Sequence, residues 1–168
     1  MGKTLIAYFS RAGQNDVNGS IVELEKGNTE IAAEMIQKLT GGELFKIDPV
    51  EKYSDDYQEC VKEAVRDLKS DARPELETYL DDLNDVDTVI LGYPSYCSTM
   101  PMPVFTFLEK YDFTGKRIRP FCTNEGSGMG RSEADIKKMC PNATITEGLP
   151  IHGASVRDAE ADIKKWLG

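Results

Sequence analysis

Three short stretches of this 168-residue chain hold the residue types that bind small polar molecules. Ser10-Arg11-Ala12-Gly13-Gln14-Asn15 follows the apolar run KTLIAYF, Pro94-Ser95-Tyr96-Cys97-Ser98-Thr99 follows DTVILGY, and the glycine-rich stretch from Thr123 to Ser132 follows RIRPFC. The first stretch offers hydroxyl, amide and backbone N–H donors, a set that suits a phosphate dianion when the N-terminus of a helix lies beside it. The second has one aromatic, Tyr96, able to stack on a flat ring for ~0.5–1.5 kcal/mol beyond its buried area. In the third, Gly126, Gly128 and Gly130 let backbone approach a ligand closely. A flat, partly polar ring joined to a phosphate fits all three. The plainer readings are a surface tyrosine and an ordinary turn. No side-chain set for hydrolysis accompanies them: Ser127 sits in G-S-G, which is not a nucleophile elbow, and the sole histidine, His152, reads as structural. Asp55-Asp56 and Asp81-Asp82 read as solvated acids without metal-site spacing. Cys60, Cys97, Cys122 and Cys140 form no C-x-x-C pair and read as buried thiols.

The elements that must position these loops alternate between strand and helix. Lys3 to Ser10, Glu43 to Ile47, Asp87 to Tyr93, Arg117 to Thr123 and Thr144 to His152 read as strands, although Pro120 removes a ladder donor from the fourth. Helices are expected from Gly27-Asn28-Thr29-Glu30, with Asn28 or Thr29 as cap, and from about Asp55 to Ser70. A short helix opened by Pro74 would run through Leu83. Further helices are expected around Val104 to Tyr111, Ser132 to Cys140 and Val156 to Leu167. Residues 16–27 form an insertion inside the first binding turn. Its Asn18-Gly19 predicts a tight turn, and the segment is either a pocket wall or a cover over the sheet edge. The alternation predicts a doubly wound parallel α/β sheet, in which all three loops lie at the carboxyl edge.

Net charge −9 and pI near 4.7 argue against nucleic acid or an anionic membrane as partner. With 40% hydrophobic residues, the chain is expected to form a single domain over residues 1–168. No signal peptide is read at its start, and no run nears the ~20 apolar residues of a membrane helix, so a cytoplasmic location is expected.

YFSRAGQN with the delayed GNTEIAAEMI, LGYPSYCSTMPMPVFTFLEKYDFTGK, and RPFCTNEGSGMGRSEADIKKMCPNA together resemble the flavodoxin family, within it the small flavodoxin-like proteins with a long first loop. The resemblance implies a three-layer sandwich with a five-stranded parallel sheet of order 2-1-3-4-5 and one non-covalent FMN at its carboxyl edge. By matching position, Ser10, Arg11, Ala12, Asn15, Asn28 and Thr29 would hold the phosphate. Pro94, Ser95, Tyr96, Cys97, Ser98 and Thr99 would lie along the isoalloxazine, with Asn124, Glu125, Gly126, Ser127 and Gly128 on its other edge. The chain departs from the family's usual pattern at Tyr96 and Cys97, where tryptophans are common, at Asp16, where an aromatic is common, and at Asn124-Glu125, which replaces His-Gly. Glu125 beside the ring would oppose negative charge gathering there. The implied activity is electron transfer to a redox partner protein, by a monomer or homodimer. The alternative is an FMN-dependent reductase of a small quinone-like or other conjugated acceptor.

Overall fold

The computed structural model describes residues 2–168. In chain order the elements are β1 (Lys3–Tyr8), β2 (Gly13–Val17), β3 (Ser20–Leu24), α1 (Asn28–Thr40), β4 (Glu43–Lys46), α2 (Tyr57–Lys69), β5 (Val86–Pro94), α3 (Met102–Lys110), β6 (Arg117–Asn124), α4 (Ser132–Met139), β7 (Thr144–Ile145), β8 (Leu149–His152), a 3-10 segment (Gly153–Asp158) and α5 (Glu160–Leu167). The main sheet is parallel and runs β4-β1-β5-β6, with β7 and β8 both beside β6. This is the expected 2-1-3-4-5 order, with the fifth strand in two pieces. β2 and β3 pair antiparallel as a separate hairpin.

The sheet is covered on both faces, which is why β1 and β5 read as almost continuous apolar sequence. On one face, Ile31 and Ile36 of α1, Val156 of the 3-10 segment and Ile163 of α5 pack with Ile6, Ile90 and Phe121. On the other, Phe107 of α3 and Ile136 of α4 pack with Leu5, Val89, Leu91 and Ile118. Phe121 crowds the neighbouring strand so closely that a Cβ on Gly92 would lie 2.0 Å from its ring, and glycine at 92 makes room for it.

Pro120 is tolerated for a reason visible in the ladder. Ile118 O accepts from Thr146 N–H on the outer side of β6, and peptide groups two residues apart face the same way along a strand. The missing donor of Pro120 therefore faces the gap between β7, paired at residues 117–118, and β8, paired from Phe121 onward.

Three expectations are corrected. Pro74 to Leu83 forms no helix: Leu76 bridges to Pro49, with Val50 N–H donating to Glu75 O and Glu77 N–H to Asp48 O. Burial of Leu76 and Leu83 prevails over the local helix signal. The last helix enters through the 3-10 turn, with Ser155 outside helical geometry, before α5 begins at Glu160. Cys60, Cys122 and Cys140 are buried, but Cys97 is exposed. Among the described residues, no helix is long and apolar enough to cross a membrane, and no His, Cys, Asp and Glu cluster could hold a metal ion.

Candidate cofactor site

A cavity of about 410 Å³ opens where β1, β5 and β6 end. One end of it is the start of α1. Gly27 is the cap residue there and, having no side chain, makes no cap bond; Ser10 Oγ, from the loop after β1, accepts from Glu30 N–H at 3.0 Å. The cap thus comes from across the turn rather than from Asn28 or Thr29, the residues the sequence suggested. A Cβ at position 27 would lie 2.2 Å from Ser10 Oγ and 2.9 Å from Arg11 N, so this close approach requires glycine. Thr29 is 1% exposed, and its hydroxyl pairs with that of Thr123 at 2.7 Å, fastening the start of α1 to the end of β6. Helix starts leave N–H groups without intrahelical partners; here Ser10 Oγ takes that of Glu30, and Asn28 and Thr29 line this end of the cavity.

Arg11 lines the cavity, but its guanidinium is used to brace the loop. Nε and Nη2 donate to Ser54 O at 2.9 and 2.7 Å, Nη2 also donates to Asp55 O at 2.9 Å, and Nη1 donates to Gln14 O. Asn15 Nδ2 likewise turns back to Arg11 O and Gly13 O. Asp16 lines the cavity, while its Oδ1 accepts from Gly19 N–H at 2.8 Å within the hairpin turn.

The other end is aromatic. Tyr96 and Thr99 exchange N–H···O bonds of 2.8 and 3.1 Å, closing a two-residue turn in which Cys97 (φ 55) and Ser98 (φ 65) are both left-handed. Arg131 holds this turn, donating from its backbone to Ser98 O at 2.9 Å and from Nη1 to Cys97 O at 3.3 Å. The Tyr96 ring meets Phe9 and Tyr53 edge-on at 5.7 and 5.8 Å, and its hydroxyl lies 3.6 Å from Cys60 Sγ. Burial pushes the Tyr96 phenol well above its ordinary range. Ser127 Oγ bonds Ser95 Oγ at 3.1 Å, joining the second and third loops. Asn124 shapes the third loop, donating to Cys122 O and Ile151 O and accepting from Gly126 N–H. Glu125 accepts from Asn18 N–H at 2.7 Å and Ala154 N–H at 3.2 Å, and lies 3.3 Å from His152 Nε2.

Of the residues singled out in the sequence, Ser10, Arg11, Asn15, Asn28, Thr29, Pro94, Ser95, Tyr96, Cys97, Asn124, Glu125 and Ser127 line this one cavity. Ala12, Ser98, Thr99, Gly126 and Gly128 lie outside its lining. Thr99 is 1% exposed and donates to Asp135, and the two glycines take positive φ in an open loop. Sequence reasoning missed an entire wall, Tyr57, Cys60, Val61 and Ala64 of α2, and also Gly153, while Thr123 opens the third stretch already singled out. The spacing of the α2 residues was visible, but it is the spacing of any core-facing helical stripe.

A doubly wound sheet with its cavity beyond the carboxyl ends of the strands defines a class of α/β proteins in which ligands are taken up at that edge. Within that class the chain belongs to the flavodoxin family, whose model matches residues 3–168. It is similar to a crystal structure from Bacteroides uniformis, provisionally described as a flavoprotein: 28% identity, 97% of this chain and 98% of that one, TM-score 0.76. It is also similar in fold to a Lactobacillus acidophilus flavoprotein crystallised in complex with FMN, at 20% identity over the whole of both chains and TM-score 0.71. An oxidised flavodoxin 2 from Bacillus cereus shares the fold at 18% identity, 98% and 97% coverage and TM-score 0.51. No functionally curated protein matches the chain.

Proposed function

We propose that this chain binds one FMN non-covalently and serves as an electron-transfer protein. The observation that carries this reading is a single cavity with a helix start and hydroxyls at one end and an aromatic wall at the other. The donor set fits the group. The first turn of α1, with Asn28 and the Ser10 loop, would hold the phosphate through N–H and hydroxyl donors. The paired hydroxyls of Thr29 and Thr123 keep the helix start at a fixed distance from β6. Tyr96 and the α2 wall would flank the ring and keep water from it. FMN, when bound, supplies one- and two-electron redox chemistry, and the protein's part is placement and electrostatics. A redox partner protein would meet an acidic molecule of net charge −9, steering a basic partner toward it.

Reduction of a small quinone-like acceptor is the second reading. It is favoured by the α2 wall, where Val61 lines the cavity yet is 39% exposed and offers an apolar ledge at its mouth. Titration of flavin-free protein with FMN tests the shared premise: uptake with quenching of flavin fluorescence is expected, and no uptake refutes it. Absorbance during stepwise reduction separates the two readings. Build-up of a one-electron-reduced spectrum at half reduction supports the carrier, and direct two-electron bleaching supports the reductase.

A further inference from the structure

The β2–β3 hairpin springs from the end of β1, and Asn15 and Asp16 on its inner strand line the cavity. Its turn reaches Glu125 at the end of β6, two strands away from β1. The ribbon therefore lies across the cavity rim. Its base is held at several points: the Arg11 guanidinium grips Ser54 O and Asp55 O, Gln14 N–H donates to Asp55 O at 3.1 Å, and Tyr57 N–H donates to Gln14 Oε1 at 3.0 Å. At the tip, among the described residues, one hydrogen bond leaves the hairpin, from Asn18 N–H to Glu125 Oε1 at 2.7 Å. Packing adds little on the outer strand, because β3 is exposed from Ser20 through Glu23, while the inner strand β2 is half-buried from Gln14 through Val17.

The turn is built to make this bond. Asn18 (φ 54) and Gly19 (φ 83) form the two-residue loop that Asn-Gly favours. Gly19 N–H is taken up internally by Asp16 Oδ1, and Asn18 N–H points outward to the carboxylate. Glu125 is itself fixed, with Oε2 accepting from Ala154 N–H and Oε1 beside His152, and its side chain is 19% exposed. A Cβ on Gly153 would lie 2.5 Å from Glu125 Oε2, so the chain leaves room for the carboxylate in this position.

We propose that Glu125 is a positioning residue, the latch that holds the β2–β3 hairpin over the cofactor cavity, and that its release sets how fast the cofactor enters and leaves. The gating half rests on the FMN reading above. A two-stranded hairpin has little stability alone, whereas a bond to a carboxylate is stronger than one between neutral groups. Loss of the latch frees the tip while the base stays anchored. The rim then opens more often, and both exchange rates rise, while the start of α1, Tyr96 and the α2 wall on the other sides of the cavity stay in place.

The test uses the full chain with Glu125→Ala and Glu125→Gln. Amide hydrogen exchange of flavin-free protein, read by NMR, reports the latch without any cofactor. Asn18 N–H is expected to be protected in the parent and to exchange at least ~10-fold faster in Glu125→Ala. Partial rescue is expected in Glu125→Gln, whose side-chain carbonyl still accepts a bond. Gln14 N–H at the base is expected to hold its protection in both variants, which separates unlatching from general loosening. Stopped-flow mixing with FMN then reports the gate: association and dissociation rate constants are expected to rise together by ~5-fold or more in Glu125→Ala, with Kd changing less than either. Unchanged Asn18 exchange in Glu125→Ala overturns the latch whether or not FMN binds. Faster exchange with unchanged FMN rates overturns the gating. If the parent takes up no FMN, the cofactor reading and the gating fall together, and the exchange data alone decide the latch.

Discussion

Ser10 has two duties in this geometry, because the hydroxyl that would meet a phosphate also accepts from Glu30 N–H and caps α1. Ser10→Ala should therefore lower the unfolding free energy by ~1 kcal/mol, the usual cost of losing a helix cap. It should also weaken FMN by ~1–3 kcal/mol, the scale of a hydrogen bond to a charged group. Riboflavin, lacking the phosphate, should lose much less; equal losses for both ligands in titrations would move the phosphate away from Ser10. Tyr96 supplies the matching test at the ring end. Its hydroxyl points to Cys60 and its ring edge is held by Phe9 and Tyr53. Tyr96→Phe should accordingly keep flavin affinity within ~3-fold, while Tyr96→Ala should weaken FMN and riboflavin alike by ~10-fold, in line with one aromatic contact. Affinity unchanged in Tyr96→Ala would place the ring elsewhere. Ser10 and Tyr96 were legible in the sequence as cavity residues because each follows an apolar strand, and ligands of open α/β sheets bind beyond the carboxyl ends of the strands. Cys60 and Ala64 were not, since a helical residue facing a cavity and one facing the core share the same spacing.

At the scale of elements, the alternation of buried strands and amphipathic helices survives folding because its signals are local: Asn18-Gly19 turns the hairpin, and Gly41 ends α1 in the left-handed conformation. The errors arise where distant contacts decide. Leu76 is drawn to Pro49 instead of forming a helical turn, and the fifth strand breaks between Ile145 and Leu149. The turn at residues 96–99 was hidden for another reason. Cys97 and Ser98 are both left-handed, a conformation that favours Asn and Gly, so the pair carries no turn signature. They hold it because Arg131 grips both carbonyls, and because Gly130 lets the third loop come so close that a Cβ there would lie 2.2 Å from Ser98 O. This local strain predicts that Ser98→Gly stabilises the protein by ~1 kcal/mol, given a left-handed penalty of ~1–2 kcal/mol for L-residues that is partly offset by the greater freedom of glycine in the unfolded chain. Urea unfolding checks it, and a lower midpoint for Ser98→Gly would mean that the turn is not strained.

For the molecule as a whole, the sheet's two cores enclose several groups that must stay neutral, and this sets the alkaline limit of the fold. Burial pushes the Cys122 thiol up to about 12 from an ordinary value of 9.0, and Cys140 up to about 11. Tyr8 rises to about 12 from 10.0, first through burial and then through the charges of Glu30, Glu34 and Asp48, while burial holds the Tyr93 phenol above its ordinary range. A raised pKa means that the folded chain keeps its proton where the unfolded chain has lost it. The stability tied to these protons is complete below pH ~9 and falls as pH rises toward 12, by ~1.4 kcal/mol per pH unit for each group then ionised only in the unfolded chain. Urea midpoints should therefore be nearly level from pH 7 to 8.5 and fall steadily from pH 9. Cys122→Ala removes one titrating group, and although the lost sulfur lowers stability at every pH, it should make the decline between pH 9 and 12 shallower by about one proton. An unchanged slope in that variant would show that the Cys122 thiol takes no part in alkaline unfolding.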